Sequence, residues 1–123
     1  MLNIGERIIK YAIVDIGANS VRMNIYDIDT QTGEFSVTAS SRSMLGLAAY
    51  AKDGALTGDG AGKLFAVLRE FLAKANSVPC DRFSAFATAS LRGLSNSAKI
   101  LKDIQSGLGI DIEIISGETE AGY

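Results

Sequence analysis

Three short stretches combine the residue types that handle anions. The first, DIGANSVRM at residues 15–23, places an acid and a glycine at the end of an alternating apolar run, then small polar residues, then alternation again. Gly17 permits close approach to the backbone, Asn19 tolerates a left-handed turn conformation and Ser20 offers a hydroxyl. A tight turn of such residues can point successive N–H groups at a phosphate. Asp15 would repel a bare phosphate but can hold a magnesium ion or its water shell beside one. Arg22 follows on the next run. The same residue types build an ordinary hairpin turn, and on this stretch alone both readings are open.

The second stretch, AFATASLRG at 85–93, runs a buried strand into Thr88, Ala89 and Ser90 and then Arg92. Backbone amides at a helix start, a hydroxyl and a bidentate cation are what a phosphate group needs. The third, IEIISGETEAG at 112–122, ends another apolar strand in Ser-Gly and then presents Glu118 and Glu120. Acids in the first turn of a helix are also favoured by the helix dipole alone.

Two absences narrow the chemistry. The chain has no histidine and one cysteine, which excludes serine–histidine and cysteine–histidine nucleophiles, histidine-ligated zinc and thiolate clusters within it. Carboxylates, hydroxyls, amides, Lys, Arg and a hard cation remain. TGDGAGKLF at 57–65 does not make a Walker loop, because Thr57 stands where a glycine is needed and Leu64 where a hydroxyl is needed. It fails the dinucleotide pattern too, with Lys63 at the third glycine. It reads as a glycine-weakened helix start.

The elements that must position these stretches follow from periodicity. Alternation predicts strands over Tyr11–Ile16, Val21–Ile28 and Gly33–Ala39, joined by short turns that favour an antiparallel meander. Residues 44–58 are apolar without a clear period and read as loop. Leu64, Val67, Leu68, Phe71, Leu72 and Ala75 recur at helical spacing before Pro79. Phe83–Thr88 reads as a buried strand. Ile100, Leu101, Ile104 and Leu108 mark a second helix ended by Gly107 and Gly109, and Ile110–Ile115 is the last strand.

The length of 123 residues suits one domain, and a net charge of −2 gives no electrostatic reason to expect nucleic acid or an anionic membrane as partner. Cys80 beside Pro79 suits a buried, inert thiol in a reducing, cytoplasmic compartment, and no apolar run approaches a signal-peptide core or the ~20 residues of a membrane span.

YAIVDIGANSVRMNIYD, FATASLRGLSN and IEIISGETEAG, in this order and at these separations, resemble the exopolyphosphatase / guanosine pentaphosphate phosphohydrolase family. The resemblance implies an α/β, ribonuclease-H-like lobe of the actin and hexokinase type. Its mixed five-stranded sheet has flanking helices, in the order βββαβαβ, with the last helix truncated. Residues 1–123 would be the N-terminal lobe of a two-lobe phosphatase domain, with the C-terminal lobe that closes the cleft missing. A 47% apolar content fits an uncovered interface and allows a homodimer.

Carried over by the resemblance, Asp15 holds Mg2+, Gly17, Asn19 and Ser20 form the first phosphate loop, and Arg92 grips a phosphate bordered by Thr88 and Ser90. Glu120 is the general base that activates water. The implied function is release of terminal phosphate from inorganic polyphosphate or guanosine pentaphosphate. Two positions depart from the family pattern: Thr119 separates Glu118 from Glu120, and Met44 precedes Leu45-Gly46 where the family often has an arginine. The alternatives are a degenerate phosphate- or nucleotide-binding regulatory lobe and a kinase-like member of the same superfamily.

Overall fold

Alternate residues of β1 (Ile8–Ile16), β2 (Val21–Asp29) and β6 (Arg82–Ala87) face opposite ways, and the set buried against the helices is apolar. The structure, a computed structural model, describes residues 8–17, 19–87 and 94–114. Strands β1 (Ile8–Ile16), β2 (Val21–Asp29) and β3 (Phe35–Ser43) form the expected antiparallel meander. Helix α1 (Gly58–Ser77) leads to β6 (Arg82–Ala87), and helix α2 (Ser97–Leu108) leads to β7 (Ile112–Ile114). Both β6 and β7 join the sheet in parallel, giving the order β3-β2-β1-β6-β7.

Ala12, Val14 and Ile16 of β1, Val21, Met23 and Ile25 of β2, and Ala85 and Ala87 of β6 make the buried face. Leu64, Leu68, Phe71 and Ala75 of α1 and Ile100 and Ile104 of α2 cover it. Their spacing puts each set on one side of its helix, so burial selects the helical period here and the strand period in the sheet. Both helices therefore lie on one face. The other face carries Tyr11, Ile13, Asp15, Arg22, Asn24 and Ser84, the odd positions of β1 and the partners that register assigns them.

β6 is fastened to β1 at its start by a reciprocal pair: the Asp81 backbone N–H donates to the Lys10 carbonyl at 2.8 Å, and the Lys10 N–H donates to Asp81 Oδ2 at 2.8 Å. β3 is an exposed edge. Its pairing shifts register between Ile25 and Tyr26, and the Thr38 hydroxyl donates to the Ile25 carbonyl at 3.1 Å. Such a bulge twists an edge and hinders pairing with another chain.

Residues 44–58 are not plain loop. A 3₁₀ turn (Leu47–Tyr50) leads into a two-residue hairpin, β4 (Ala51–Lys52) with β5 (Ala55–Leu56). Asp53 and Gly54 take φ values of 54° and 78°, the positive pair a tight hairpin turn requires. The Asp-Gly signal is in the sequence, but strands this short leave no alternation to detect. Asn96, just before α2, clasps this hairpin: its Oδ1 accepts from the Leu56 N–H at 3.0 Å and its Nδ2 donates to the Leu56 carbonyl at 2.9 Å.

The glycines at the start of α1 are not simply weaknesses. Thr57 caps the helix, accepting from the Gly60 N–H at 3.1 Å, and a Cβ on Gly60 would lie 2.5 Å from the Tyr50 Cβ. Gly60 is needed for the 3₁₀ turn to pack on the helix; at Gly62 an added Cβ meets nothing within 4 Å. Alanine gains up to about 1 kcal/mol over glycine in a helix. Gly62→Ala should therefore raise stability by about 0.5–1 kcal/mol, whereas Gly60→Ala should lower it by about 1–3 kcal/mol through overpacking. Denaturant unfolding of the two variants should give opposite signs.

Gly107 and Gly109 likewise differ. Gly109, at φ 70°, caps α2 with its N–H on the Gln105 carbonyl at 2.9 Å, whereas Gly107 lies inside the helix, where a Cβ would stand 2.7 Å from the Phe65 ring.

Candidate functional site

β1 ends in a turn that the sequence makes tight. The Gly17 N–H donates to the Ser20 carbonyl at 2.9 Å, closing a loop whose tip includes the exposed Asn19. A Cβ on Gly17 would come within 3.2 Å of that same carbonyl, so glycine lets the two sides of the turn approach.

Asp15 sits one residue from the end of β1, on the face away from the helices. Antiparallel register sets it beside Arg22, and Arg22 beside Arg42 on β3. An acid and two arginines thus form a row across three neighbouring strands. They line a cleft of about 430 Å3 together with Asn24, Ser40 and Ser41. The Ser40 hydroxyl donates to Asn24 Oδ1 at 2.8 Å, and Asn24 Nδ2 donates to the Tyr26 hydroxyl at 3.2 Å, which fixes the floor of the cleft.

Asp15 Oδ1 is buried with no hydrogen-bond partner among the described residues. A buried carboxylate oxygen left unsatisfied is costly, and a water or a hard cation would satisfy it. Among the described residues no group of three acidic or thiol side chains gathers to hold a metal.

Parallel register brings the ends of β1, β6 and β7 to one edge of the sheet. Ile16 pairs with Ala87, and Ala87 with Ile114, so β1, β6 and β7 finish side by side. Thr88, Ser90, Arg92 and Glu120 follow these strand ends and lie outside the described residues. In open α/β sheets, ligands bind beyond the carboxyl ends of the strands, which is where the Gly17–Ser20 turn stands.

A second cavity, of about 450 Å3, is lined by residues of α1, β6 and β7, among them Leu72, Phe83 and Glu113, and by Asp111 just before β7. Cys80 is half-buried, and burial pushes its thiol pKa up. Among the described residues no helix is long and apolar enough to cross a membrane.

Arg42 is the site residue that sequence patterns do not reveal. β3 is exposed along most of its length, so no burial alternation marks which of its residues face Asp15. Its register with β2 decides that.

Comparison with known proteins agrees with this arrangement. Residues 24–123 match the Ppx/GppA phosphatase family. Exopolyphosphatase 1 of Mycobacterium tuberculosis is 30% identical over 113 residues, covering 91% of this chain and 33% of that protein. The chain thus spans about a third of the length of the curated relatives it matches. The crystal structure of the Aquifex aeolicus Ppx/GppA family member superposes with a TM-score of 0.84 at 27% identity, over 92% of this chain and 37% of that one. An exopolyphosphatase from Cytophaga hutchinsonii, 23% identical, has the same fold with a TM-score of 0.84 over 92% of this chain and 36% of that one. The family match over residues 24–123 and the superposition on a solved family member agree: the chain belongs to the Ppx/GppA phosphatase family.

Proposed function

We propose that this chain is the N-terminal lobe of a cytoplasmic phosphohydrolase that releases the terminal phosphate of inorganic polyphosphate or guanosine pentaphosphate. The observation that carries the reading is the convergence of β1, β6 and β7 at Ile16, Ala87 and Ile114, beside a glycine turn and an unsatisfied Asp15 oxygen. The exopolyphosphatase relatives support it.

The turn from Gly17 to Ser20, with Asn19 at its tip, presents backbone N–H groups and the Ser20 hydroxyl to the terminal phosphate. Asp15 is the residue that would hold Mg2+, which would supply charge neutralisation at the phosphoryl oxygens. Arg22 lies next to Asp15 and faces the same space. Thr88, Ser90 and Arg92 grip the phosphate from the end of β6, and Glu120, beyond β7, takes the proton of the attacking water. A second lobe supplies the opposite wall of the cleft and excludes bulk water.

Orthophosphate release from polyphosphate and guanosine pentaphosphate, with and without Mg2+, tests this reading. The full-length protein should release it in a Mg2+-dependent manner, and the 123-residue chain alone should not exceed a blank. No release by the full-length protein from either substrate would refute the proposal.

A further inference from the structure

We infer that Arg42 determines ligand class at this site: with Arg22 it forms a second anion subsite that takes the phosphate next to the one held at the Gly17–Ser20 turn. The ligand would then be a chain of adjacent phosphates rather than an isolated one. The inference rests on the phosphohydrolase reading and deepens it.

Register makes Arg22 and Arg42 directly opposed cross-strand neighbours, and like charges in that position repel. Neither guanidinium has an ion-pair partner among the described residues, whereas Lys10, Lys63, Lys74 and Lys99 each pair with an acid. Asp15, the acid in the same row, offers one charge against two. Two exposed guanidiniums side by side over a cleft floored by Ser40 and Asn24 form a fork suited to bidentate phosphate recognition.

Neighbouring strands are about 4.8 Å apart, so the row from Asp15 through Arg22 to Arg42 extends roughly 10 Å across the sheet, further than a single phosphate group spans. Arg42 is the outermost. The exposed Met44, two residues further along the chain, offers no charge, so Arg42 is the cation that this stretch contributes.

The test is calorimetric binding of tripolyphosphate and of orthophosphate to the full-length protein at fixed ionic strength, with orthophosphate release measured alongside. Arg42→Gln should weaken tripolyphosphate by about 10-fold or more, the loss expected for a charge-assisted bidentate contact. It should leave orthophosphate within about 2-fold, and Lys99→Gln, an exposed cation on α2, should leave both anions within the same range. Arg42→Lys should fall between parent and Arg42→Gln for tripolyphosphate, because it keeps the charge and loses the fork.

Equal losses for both anions, or none for tripolyphosphate, would overturn the subsite. Tripolyphosphate binding that depends on Arg42 without any phosphate release would leave the subsite standing and remove the phosphohydrolase reading. Release that is indifferent to Arg42 would do the reverse.

Discussion

Glu120→Gln in the full-length protein is expected to lower the catalytic constant by at least ~10²-fold with substrate affinity largely kept, the signature of a lost general base. Glu118→Gln should change turnover much less. The contrast matters because both acids follow the last strand, and an acid at a helix start contributes only ~0.3–1 kcal/mol of stability and little activity. Thr119 separates the two, so they cannot act as an adjacent pair. Steady-state rates of phosphate release for the two variants decide the matter. If both stayed within a few-fold of the parent, the lobe would bind phosphate without this mechanism, and the degenerate regulatory reading would take its place.

Asp15→Asn is expected to separate activity from stability. The carboxylate holds a buried, unpartnered oxygen, which a fold built only for stability would avoid. The amide has nearly the same shape and carries no charge, so the variant should unfold at the same temperature as the parent or higher. Its dependence on Mg2+ should shift by at least about 10- to 100-fold toward higher concentration, since loss of a direct ligand should cost no less than loss of a residue that only supports one. A magnesium titration of phosphate release and a thermal melt, run on the same preparations, give both quantities. A lower melting temperature with an unchanged magnesium requirement would make Asp15 a structural residue.

The two variants differ in what was legible beforehand. Glu120 is singled out by resemblance alone, because an acid after an apolar strand has an ordinary structural explanation. Asp15 is different: the position of its carboxylate opposite the core follows from alternation with Val14 and Ile16, both fully buried. What alternation cannot say is that one oxygen lacks a partner. That depends on which side chains the neighbouring strands bring alongside.

Much of the fold is written in local pattern. The period of two in β1, β2 and β6 and the spacing of Leu64, Leu68, Phe71 and Ala75 follow from the need to bury one face of each element, and such patterns extend over enough residues to be read. The turn at Gly17–Ser20 is legible for the same reason, lying between two clear alternations. The hairpin at Ala51–Leu56 is not, because two-residue strands are too short to show a period.

By itself, then, the sequence determined the element order outside residues 44–58, the core face of the sheet, the phosphate-handling residue types and the exclusion of histidine and thiolate chemistry, since each depends on composition or near-neighbour spacing. Tertiary structure decided what depends on register between distant segments. It set Arg42 beside Arg22 and Asp15, gave Gly60 its packing role against Tyr50, and made Asn96 clasp Leu56 across 40 residues. A one-residue slip of β3 against β2 would carry Arg42 to the opposite face, and nothing in the local pattern of an exposed edge strand forbids that slip.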